Sequence, residues 1–473
     1  MISPRSTFAF LPALGLLAGC AVGPNYQRPD TQAPAAFRDQ PATGDKVTLS
    51  DTAWWDLYSD PALTALVKAS LENGFDTRIA ASRVEEAHAL AMQTNGRLFP
   101  SVGYTGDAYR GQNNLLGNPN PAGTGATTNG FAAYLSAAWE PDLWGRLRRL
   151  NEVARDQYLQ TDEARKGIEI SVVTDVATDY FQLLELDQEL SIAREADQSF
   201  GESLKLFNQR LKGGVASRLE TASAEAAQAA EAARIPNLER QLAATENELS
   251  VLLGRPPGPV TRGPALSDHA AAPQTPVGLP SDLLERRPDV RSAEYAAMSA
   301  NAQIGAIVGS FLPRIGLSAA LGGVSQDLSN LFKSRDRLWS VGAQITGPIF
   351  QAGTLRGQYL QSKAAWEEAK LRYEQTALSA FADVSNALSA RQKLGEERVQ
   401  LEREVRAYTD AVNLSTERYK AGQASYYEVL QAKQLLFPAE VTLAQTQRDE
   451  LVSVIQLYKA LGGGWNPALI TPK

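Results

Sequence analysis

The side chains with the chemistry that enzymes use are few in this sequence, and they lie far apart. The 473-residue chain has one cysteine, Cys20, and two histidines, His88 and His269, each of which is isolated. They form no Cys/His/Asp cluster with metal-ligand spacing and supply no nucleophile with a paired base. No glycine-rich phosphate loop follows a predicted strand. The sequence therefore predicts no catalytic residue, no metal site and no cofactor.

The cysteine has a different use. The mostly apolar stretch 8–18 is too short to span a bilayer, so residues 1–19 are interpreted as a signal peptide. The stretch ends in Leu17-Ala18-Gly19-Cys20, which resembles the bacterial lipoprotein signal, where cleavage leaves the cysteine as the lipidated first residue. Ala21 follows rather than Asp, and by resemblance to sorting in Gram-negative bacteria this favours the outer membrane. The alternative is an ordinary signal peptide with an incidental cysteine.

The overall charge argues against another class of function. The chain has 53 acidic residues against 46 lysines and arginines, a formal net charge of −7, and no basic cluster stands out. Proteins that bind nucleic acids need a positive surface to contact phosphates. We therefore expect no nucleic-acid partner.

A turn motif occurs twice in the chain. Arg-Leu-Lys-Gly-Gly-Val-Ala-Ser-Arg-Leu-Glu at 210–220 matches Arg-Tyr-Lys-Ala-Gly-Gln-Ala-Ser-Tyr-Tyr-Glu at 418–428, with a constant offset of 208 residues. Other pairs follow at nearly the same offset, such as Pro141 with Pro348. The alternative is chance similarity between helices of simple composition. Because ordered matches extend over most of the chain, they indicate two copies of one structural unit instead.

Long helices are predicted on both sides of each turn. Residues 353–420 contain no proline, and as one helix they would be roughly 100 Å long at about 1.5 Å per residue. Residues 146–211 predict the counterpart in the first copy. Residues 218–253 and 425–461 return as helices, with a kink or local break at their internal prolines, Pro236 and Pro438. The core-type positions near the end of the second long helix recur in steps of three and four, as in a coiled coil. These positions are Ala387, Arg391, Leu394, Arg398, Leu401, Val405, Tyr408, Val412, Ser415 and Tyr419.

Two β-hairpins, at about 101–140 and about 314–347, precede the long helices. Apolar residues alternate with small or polar ones over about ten residues per strand, enough to cross a bilayer when tilted. Four strands cannot close a barrel, and an open sheet edge in lipid leaves backbone groups unpaired. The strands therefore close with those of one, two or three further copies, or they belong to a soluble sheet. The residues expected to line a pore include Gly103, Ser136, Gly342 and Gln344.

These elements divide the chain into successive segments. Each of the two repeats consists of a helix, a β-hairpin, a long helix and a return helix. The predicted segments are a signal peptide at 1–19, a lipidated tether at 20–60, the first repeat at 61–253, a linker at 254–288, the second repeat at 289–462 and a tail at 463–473.

Taken together, these features resemble the TolC-like outer membrane factor family, most closely its NodT/OprM-type lipoprotein branch, over nearly all of residues 20–465. The resemblance rests on motifs that are specific only in combination. They are the lipoprotein signal, the paired turns, Trp54-Trp55, Pro141-Asp142-Leu143-Trp144-Gly145, Glu285-Arg286-Arg287-Pro288-Asp289 and Pro348-Ile349-Phe350. The resemblance implies a mainly α fold with a transmembrane β part. Four strands from each chain of a homotrimer would form a twelve-stranded β-barrel, continuous with a long periplasmic helical barrel.

The same resemblance implies a function. The family's members are passive exit ducts for small molecules in tripartite efflux systems, and they are not enzymes. Their partners are a periplasmic adaptor protein and an inner-membrane pump, here expected to be of the RND type. The chain is therefore expected to be lipid-anchored in the outer membrane of a Gram-negative cell, with its helical part in the periplasm.

The resemblance also implies two sites near the turns. Family adaptors dock near a Gly-Val-Ala/Thr element, which Gly214-Val215-Ala216 matches, whereas Gly422-Gln423-Ala424 departs from it at Gln423. The simpler interpretation is a tight turn that needs glycine for positive φ. Some members close the periplasmic mouth with acidic residues just after the second turn. Glu428 and Gln431 fall at two such positions, and the alternative for Glu428 is a solvated surface charge.

A second hypothesis is a periplasmic adaptor-like structural lipoprotein without a pore. Such a protein would need one helical hairpin flanked by β-domains, and the duplicated amphipathic strands argue against it. A third hypothesis, an extracytoplasmic enzyme, has no candidate site.

Overall fold

The structure is a computed structural model that describes residues 21–31, 33–34, 36–38, 58–112, 127–269 and 283–463. The signal peptide, Cys20 and Trp54-Trp55 lie outside the described residues, as do 464–473 of the predicted tail. The segment boundaries proposed from the sequence stay predictions.

Long helices make up most of the described chain, as its helix-forming composition predicts. The helices are α1 Pro61–Asn73, α2 Phe75–Gly96, α3 Arg146–Lys212, α4 Arg218–Leu252, α5 Leu283–Arg286, α6 Pro288–Gly309, α7 Thr354–Lys420 and α8 Tyr426–Ala460. Short 3₁₀ turns occur at Leu266–Asp268, Leu328–Asn330 and Ser334–Asp336. None of the described helices contains a sufficiently long apolar stretch with few charges to form a transmembrane helix.

The two predicted repeats have matching helices. Helices α3 and α7 are 67 residues each, and α4 and α8 are 35 residues each. The start of α3 lies 208 residues before the start of α7, the same offset as between the turn motifs. The break considered at Pro236 and Pro438 does not occur, because α4 and α8 continue through these residues. A proline removes one N–H donor, and the neighbouring turns keep the helix intact.

Both predicted hairpins are confirmed, and they join into one sheet. The strands are β1 Ser101–Gln112, β2 Thr127–Trp139, β3 Arg314–Ser325 and β4 Arg337–Thr346. They pair antiparallel in the order β1-β2-β3-β4, so β2 and β3 connect the two repeats. Strands β1 and β4 lie at the two edges of this sheet.

The register of the sheet aligns the predicted faces across all four strands. An apolar row crosses the sheet through neighbouring partners, and the adjacent row contains small or hydroxyl side chains. The apolar row is Tyr104, Leu135, Leu321 and Trp339. The adjacent row is Gly103, Ser136, Ala320 and Ser340. Tyr104 is 87% exposed and Trp339 is 71% exposed, so within one chain nothing covers these two side chains.

The motif Pro141–Gly145 connects β2 to α3. Asp142 accepts hydrogen bonds from the backbone N–H groups of Leu147 and Arg148, at 3.1 and 2.9 Å, which satisfies free donors at the start of α3. The Trp144 indole N–H donates to the carbonyl of Pro313 at 2.8 Å. The motif thus fixes the first hairpin against the chain that enters the second.

The described chain consists of two compact units. Unit 1 contains the described residues that lie within 1–29, 84–161 and 292–373, including the sheet, and unit 2 contains those within 30–83, 162–291 and 374–473. The main apolar core lies in unit 2, around the middle of α3. Val176, Tyr180 and Leu183 of that helix are fully buried.

The predicted heptad positions of α7 are confirmed, since none of them is exposed. Arg398 is a charged residue among these heptad positions, and the heptad pattern alone does not predict its ion-pair partners. Arg398 forms ion pairs with Glu450 on α8 at 2.7 Å and with Glu402 at 2.8 Å. On α3, the half-buried Asp187 pairs with Arg262 at 2.9 Å. These pairs neutralise charges at positions that apolar residues would otherwise occupy.

Two glutamates on α3 are buried side by side in unit 2. Glu185 is 2% exposed and Glu189 is 7% exposed. Glu185 accepts hydrogen bonds from Gln182 at 2.7 Å and from Arg448 at 3.3 Å, and Glu189 accepts one from Gln445 at 2.7 Å. Burial, together with the neighbouring Glu189, raises the pKa of Glu185 to about 8, although Arg448 opposes the rise.

This pKa shift predicts that the helical unit loses stability as pH rises. A carboxyl whose pKa is higher in the folded state stabilises that state fully below its unfolded pKa of 4.5, and the contribution disappears as pH approaches about 8. We expect the free energy of unfolding to fall across this window by at most about 1.4 kcal/mol per pH unit from this group. The Glu185→Gln variant, which is neutral and similar in shape, should show a flatter pH dependence in thermal unfolding. An unchanged slope in this variant would contradict the assignment.

Candidate functional site: the two helical turns

The first turn, Gly213–Ser217, connects α3 to α4. The Gly213 N–H donates to the carbonyl of Gln209 at 3.0 Å, and the Val215 N–H donates to that of Arg210 at 2.9 Å. Gly214 has φ +74, a left-handed conformation that glycine adopts without steric cost. This is a Schellman-type end to a helix, in which glycine reverses the chain direction.

The second turn, Ala421–Ser425, connects α7 to α8 with the same geometry. The Ala421 N–H donates to Glu417 at 2.9 Å, the Gln423 N–H donates to Arg418 at 2.9 Å, and Gly422 has φ +73. The two turns are therefore equivalent in backbone conformation as well as in sequence.

The side chains that cap the return helices differ between the turns. In the first turn, Ser217 and Glu220 form a reciprocal capping box at the start of α4. In the second turn, the Ser425 side chain makes no capping hydrogen bond. Glu428, the counterpart of Glu220, instead pairs with Arg418 at 3.0 Å. The candidate gate carboxylate is thus balanced by a cation of its own chain.

The exposed surfaces of the turns differ as well. Val215 in the turn is 66% exposed, and Leu219 in the first turn of α4 is 77% exposed, so both present apolar side chains to solvent. The equivalent positions of the second turn are Gln423, which is exposed, and Tyr427, which is 61% exposed. Of the other candidate docking residues, the glycines are exposed and Ala216 and Ala424 are half-buried.

A polar and aromatic cluster connects the two helical hairpins just behind the turns. Arg210 donates to the Tyr419 hydroxyl at 3.0 Å, and its guanidinium lies 5.8 Å from the centre of that ring. The Tyr426 ring packs edge-on against Tyr419 at 4.9 Å and against Phe207 at 5.0 Å. The Tyr426 hydroxyl lies 2.5 Å from the Ser203 hydroxyl. Sequence reasoning missed this cluster and identified only Tyr419, as a heptad position.

The other candidate gate residue, Gln431, follows Glu428 by three residues, so both lie on one face of α8. Gln431 is exposed and Glu428 is half-buried. Because Gln431 is uncharged, this face carries one carboxylate at these two positions.

The description of His269 as isolated is wrong. Its Nε2 lies 3.2 Å from an Asp60 carboxylate oxygen, to which the Tyr180 hydroxyl also donates at 2.6 Å. The other Asp60 oxygen accepts backbone N–H groups at the start of α1. The Asp60 side chain is 0% exposed and that of His269 is 2% exposed, so the cluster binds chain segments together and offers no access to a substrate. Over the described part of the chain, no group of residues could hold a metal ion.

Comparison with known proteins supports one family. The profile of the outer membrane efflux protein family matches residues 66–255 and 279–463. The toluene efflux pump outer membrane protein TtgI of Pseudomonas putida is 36% identical over 468 residues, which cover 97% of this chain and 99% of TtgI. The probable outer membrane lipoprotein SilC of Salmonella typhimurium is 32% identical over 457 residues, 95% of this chain and 97% of SilC. The structure of the open state of the Neisseria gonorrhoeae MtrE outer membrane channel superposes with a TM-score of 0.85 at 29% identity, covering 94% of this chain and 98% of MtrE.

The difference in capping predicts different effects of equivalent mutations. Ser217→Ala removes the capping box, and we expect it to destabilise the first turn of α4 by about 1 kcal/mol. Ser425→Ala is the matched control and should have little effect, because this side chain makes no capping bond. Hydrogen exchange at the amides of 218–221 and 426–429 measures both. Equal acceleration of exchange in the two variants would contradict the assignment.

Proposed function

Because the chain belongs to the outer membrane efflux protein family, we propose that it is the passive duct through which a tripartite efflux system releases small molecules from the cell. The observation that carries the proposal is the four-stranded sheet with one exposed apolar face, combined with long helices in two repeats. The likeness to the MtrE channel covers nearly the whole described chain. The family's members are efflux channels and have no enzymatic activity.

We propose that the channel is a homotrimer. In lipid, the outer edges of β1 and β4 would leave backbone groups unpaired, so β4 of one chain must pair with β1 of the next. Two chains would supply eight strands, a barrel that its own side chains fill. Three chains supply twelve and leave room for a pore lined by the small and polar row that includes Gly103 and Ser136.

We also propose that Cys20 carries the lipid anchor, which places the helical part in the periplasm. The name of SilC, an outer membrane lipoprotein, supports this proposal. Several acyl chains would hold the protein firmly, since each buried CH₂ contributes about 0.8 kcal/mol.

The turns are the proposed docking surface for a periplasmic adaptor, which would link the channel to an inner-membrane pump of the RND type. Gly214, Val215 and Ala216 form the surface at the first turn, with the apolar Leu219 beside it. Gly422, Gln423 and Ala424 form the more polar surface at the second. An apolar patch at the end of a helical hairpin suits a partner that presents an amphipathic helix.

The proposed gate lies beside the second turn, at Glu428 and Gln431. The ion pair between Glu428 and Arg418 joins α7 to α8 within the second helical hairpin. The contacts of Tyr419 and Tyr426 with α3 hold this hairpin against the first. Movement of this hairpin would require these contacts to break, so they stabilise one arrangement of the helix ends.

The experiment that tests the proposed function is single-channel recording of the purified mature protein in a planar bilayer, paired with native mass. We expect stable pores from a particle with three times the mass of the chain. A trimer of low conductance would indicate a closed gate, and truncation of the turns should then open it. A monomer without conductance, even after truncation, would favour the adaptor-like alternative.

If the first turn is a docking surface for the adaptor, a charged residue at Val215 should weaken binding of the adaptor. Val215→Asp should reduce recovery of a purified adaptor of this family's systems by about tenfold, the effect of losing a central interface contact. Val251→Asp is the control, because Val251 is 64% exposed on α4 but lies far from the turn in sequence. Equal recovery with both variants would refute the docking surface.

A role for Glu428 in the gate predicts an effect on ion selectivity. Glu428→Gln removes a negative charge near the aperture and should reduce the preference for cations and the block by divalent cations. Glu404→Gln is the control for overall charge. Glu404 is exposed on α7, about 24 Å before the end of that helix at Lys420. Unchanged conductance and selectivity in Glu428→Gln would exclude the gate role.

A further inference from the structure

A groove of about 940 Å³ lies in unit 1, beside the first described residues of the chain. Residues 23–29 form one wall, α6 forms a second and the early part of α7 forms the third. The side chains that matter for its chemistry are Arg28, Asn301, Tyr359, Lys363, Trp366 and Lys370. The proposed function leaves this groove without a role.

Helix α7 contributes an alternating pattern of aromatic and cationic side chains. Tyr359, Lys363, Trp366 and Lys370 follow one another at spacings of four, three and four residues, so they share one face of the helix. The Lys363 ammonium lies 5.9 Å from the centre of the Tyr359 ring, and that of Lys370 lies 5.8 Å from the Trp366 ring. Aromatic faces orient these cations without neutralising them.

The opposite wall is already balanced in charge. Arg28 donates to both carboxylate oxygens of Glu294, at 2.6 and 2.8 Å. The Asn301 amide donates to the carbonyl of Pro24 at 3.0 Å, which fixes residues 23–29 against α6. On α7, Glu367 lies 3.5 Å from Lys370 and offsets part of its charge. Two lysines and one glutamate on α7 thus leave the groove positive in a chain with a formal net charge of −7.

The first repeat shows that the fold does not require this pattern. At the offset of 208 residues, the equivalent positions on α3 are Asn151, Arg155, Tyr158 and Asp162. Asp162 replaces the second lysine with the opposite charge and forms ion pairs with Arg165 and Lys166. The first repeat keeps one cation and one aromatic ring, Arg155 and Tyr158, and only the second repeat has the complete set of two cations and two aromatic rings.

The residues of the groove are close in sequence to the proposed lipid anchor and to β4, which indicates a location near the membrane surface. Gly23 follows the proposed lipid attachment site, Cys20, by three residues, and α7 begins eight residues after the end of β4. Lys363 lies about 14 Å along α7 from its first residue. This part of the inference rests on the proposed function, in which β4 crosses the outer membrane. The groove would then lie at the level of the periplasmic headgroups.

We propose that the groove binds the headgroup of an anionic phospholipid from the periplasmic leaflet. Lys363 and Lys370 contact the phosphate, while Tyr359 and Trp366 pack against the glycerol and the first carbons of the acyl chains, as aromatics do at membrane interfaces. The chemistry recognised is a phosphate ester, which free phosphate shares, so the test must separate the two sources.

The test uses the full-length protein with its covalent lipid anchor. Bound phospholipids are first removed in detergent, and phosphatidylglycerol or phosphatidylcholine is then added. Native mass spectrometry counts the lipids retained. We expect phosphatidylglycerol to be retained selectively, and about tenfold more weakly by the double variant Lys363→Gln/Lys370→Gln, because both lysines face the phosphate. The charge-preserving Lys363→Arg/Lys370→Arg variant should keep the lipid. The control Lys205→Gln/Lys393→Gln changes the charge equally at exposed helix positions of unit 2, which do not line the groove.

Each outcome decides for or against the site. Equal retention by wild type and the Lys363→Gln/Lys370→Gln variant would overturn the proposal, as would equal losses in this variant and the Lys205→Gln/Lys393→Gln control. Displacement of the lipid by equimolar inorganic phosphate would overturn the lipid assignment and leave a phosphate site. Conductance of the same samples separates this inference from the proposed function. A conducting wild type without selective lipid binding refutes the groove alone, and selective binding without conductance refutes the duct alone.

Discussion

A backbone N–H or C=O group that faces lipid without a hydrogen-bond partner costs several kcal/mol, and a sheet with open edges has a row of such groups. The four strands of this chain form a sheet with two edges, at β1 and β4. Its register carries an apolar row from one edge to the other, so every strand presents the same face to one side. A single chain cannot place this apolar face in a membrane and also pair the backbone groups at both sheet edges. The proposal of an oligomeric barrel follows from this constraint, and the proposed placement of the helices follows from the barrel.

Several charged side chains of unit 2 form ion pairs with residues that are distant in sequence. Arg398, at a heptad position of α7, and Asp187 on α3 both have partners of opposite charge on other segments. Arg287 is nearly buried and bonds to Asp289 and Asp383 as well as to the carbonyl of Ala460. Asp187, Asp289 and Asp383 are half-exposed, so these pairs contribute little net stability, but loss of the partners of the buried Arg287 would leave a costly unpaired charge. They therefore favour one register of the long helices over others.

The two repeats keep one backbone and differ in side chains. Both turns have the same hydrogen bonds and a left-handed glycine, yet one return helix starts with a capping box and the other with a carboxylate paired to Arg418. The early part of α7 presents lysines and aromatics where α3 has Asn151 and Asp162. Duplication thus supplies equivalent scaffolds, and the functional proposals rest on the positions where the copies diverge.

Much of the fold follows from local sequence patterns. The ends of the long helices were predictable to within one residue, because glycine, serine and the charge pattern at the turns act on neighbouring residues. The strand faces were predictable because side chains alternate with a period of two. Family motifs identified the turns as the candidate site, but their exposed and buried sides became visible only in three dimensions.

The remaining features depend on contacts between residues far apart in the chain. His269 meets Asp60, Arg448 meets Glu185 and Arg210 meets Tyr419, each across more than 200 residues. Nothing in the spacing of these residues indicates a partner, because packing of helices from different segments decides which polar groups meet. The sequence by itself determined the elements, their amphipathic faces and the duplication, since these depend on near neighbours. The tertiary structure decided the charge partners, the cluster behind the turns and the groove beside α7, since each needs segments that only the folded chain brings together.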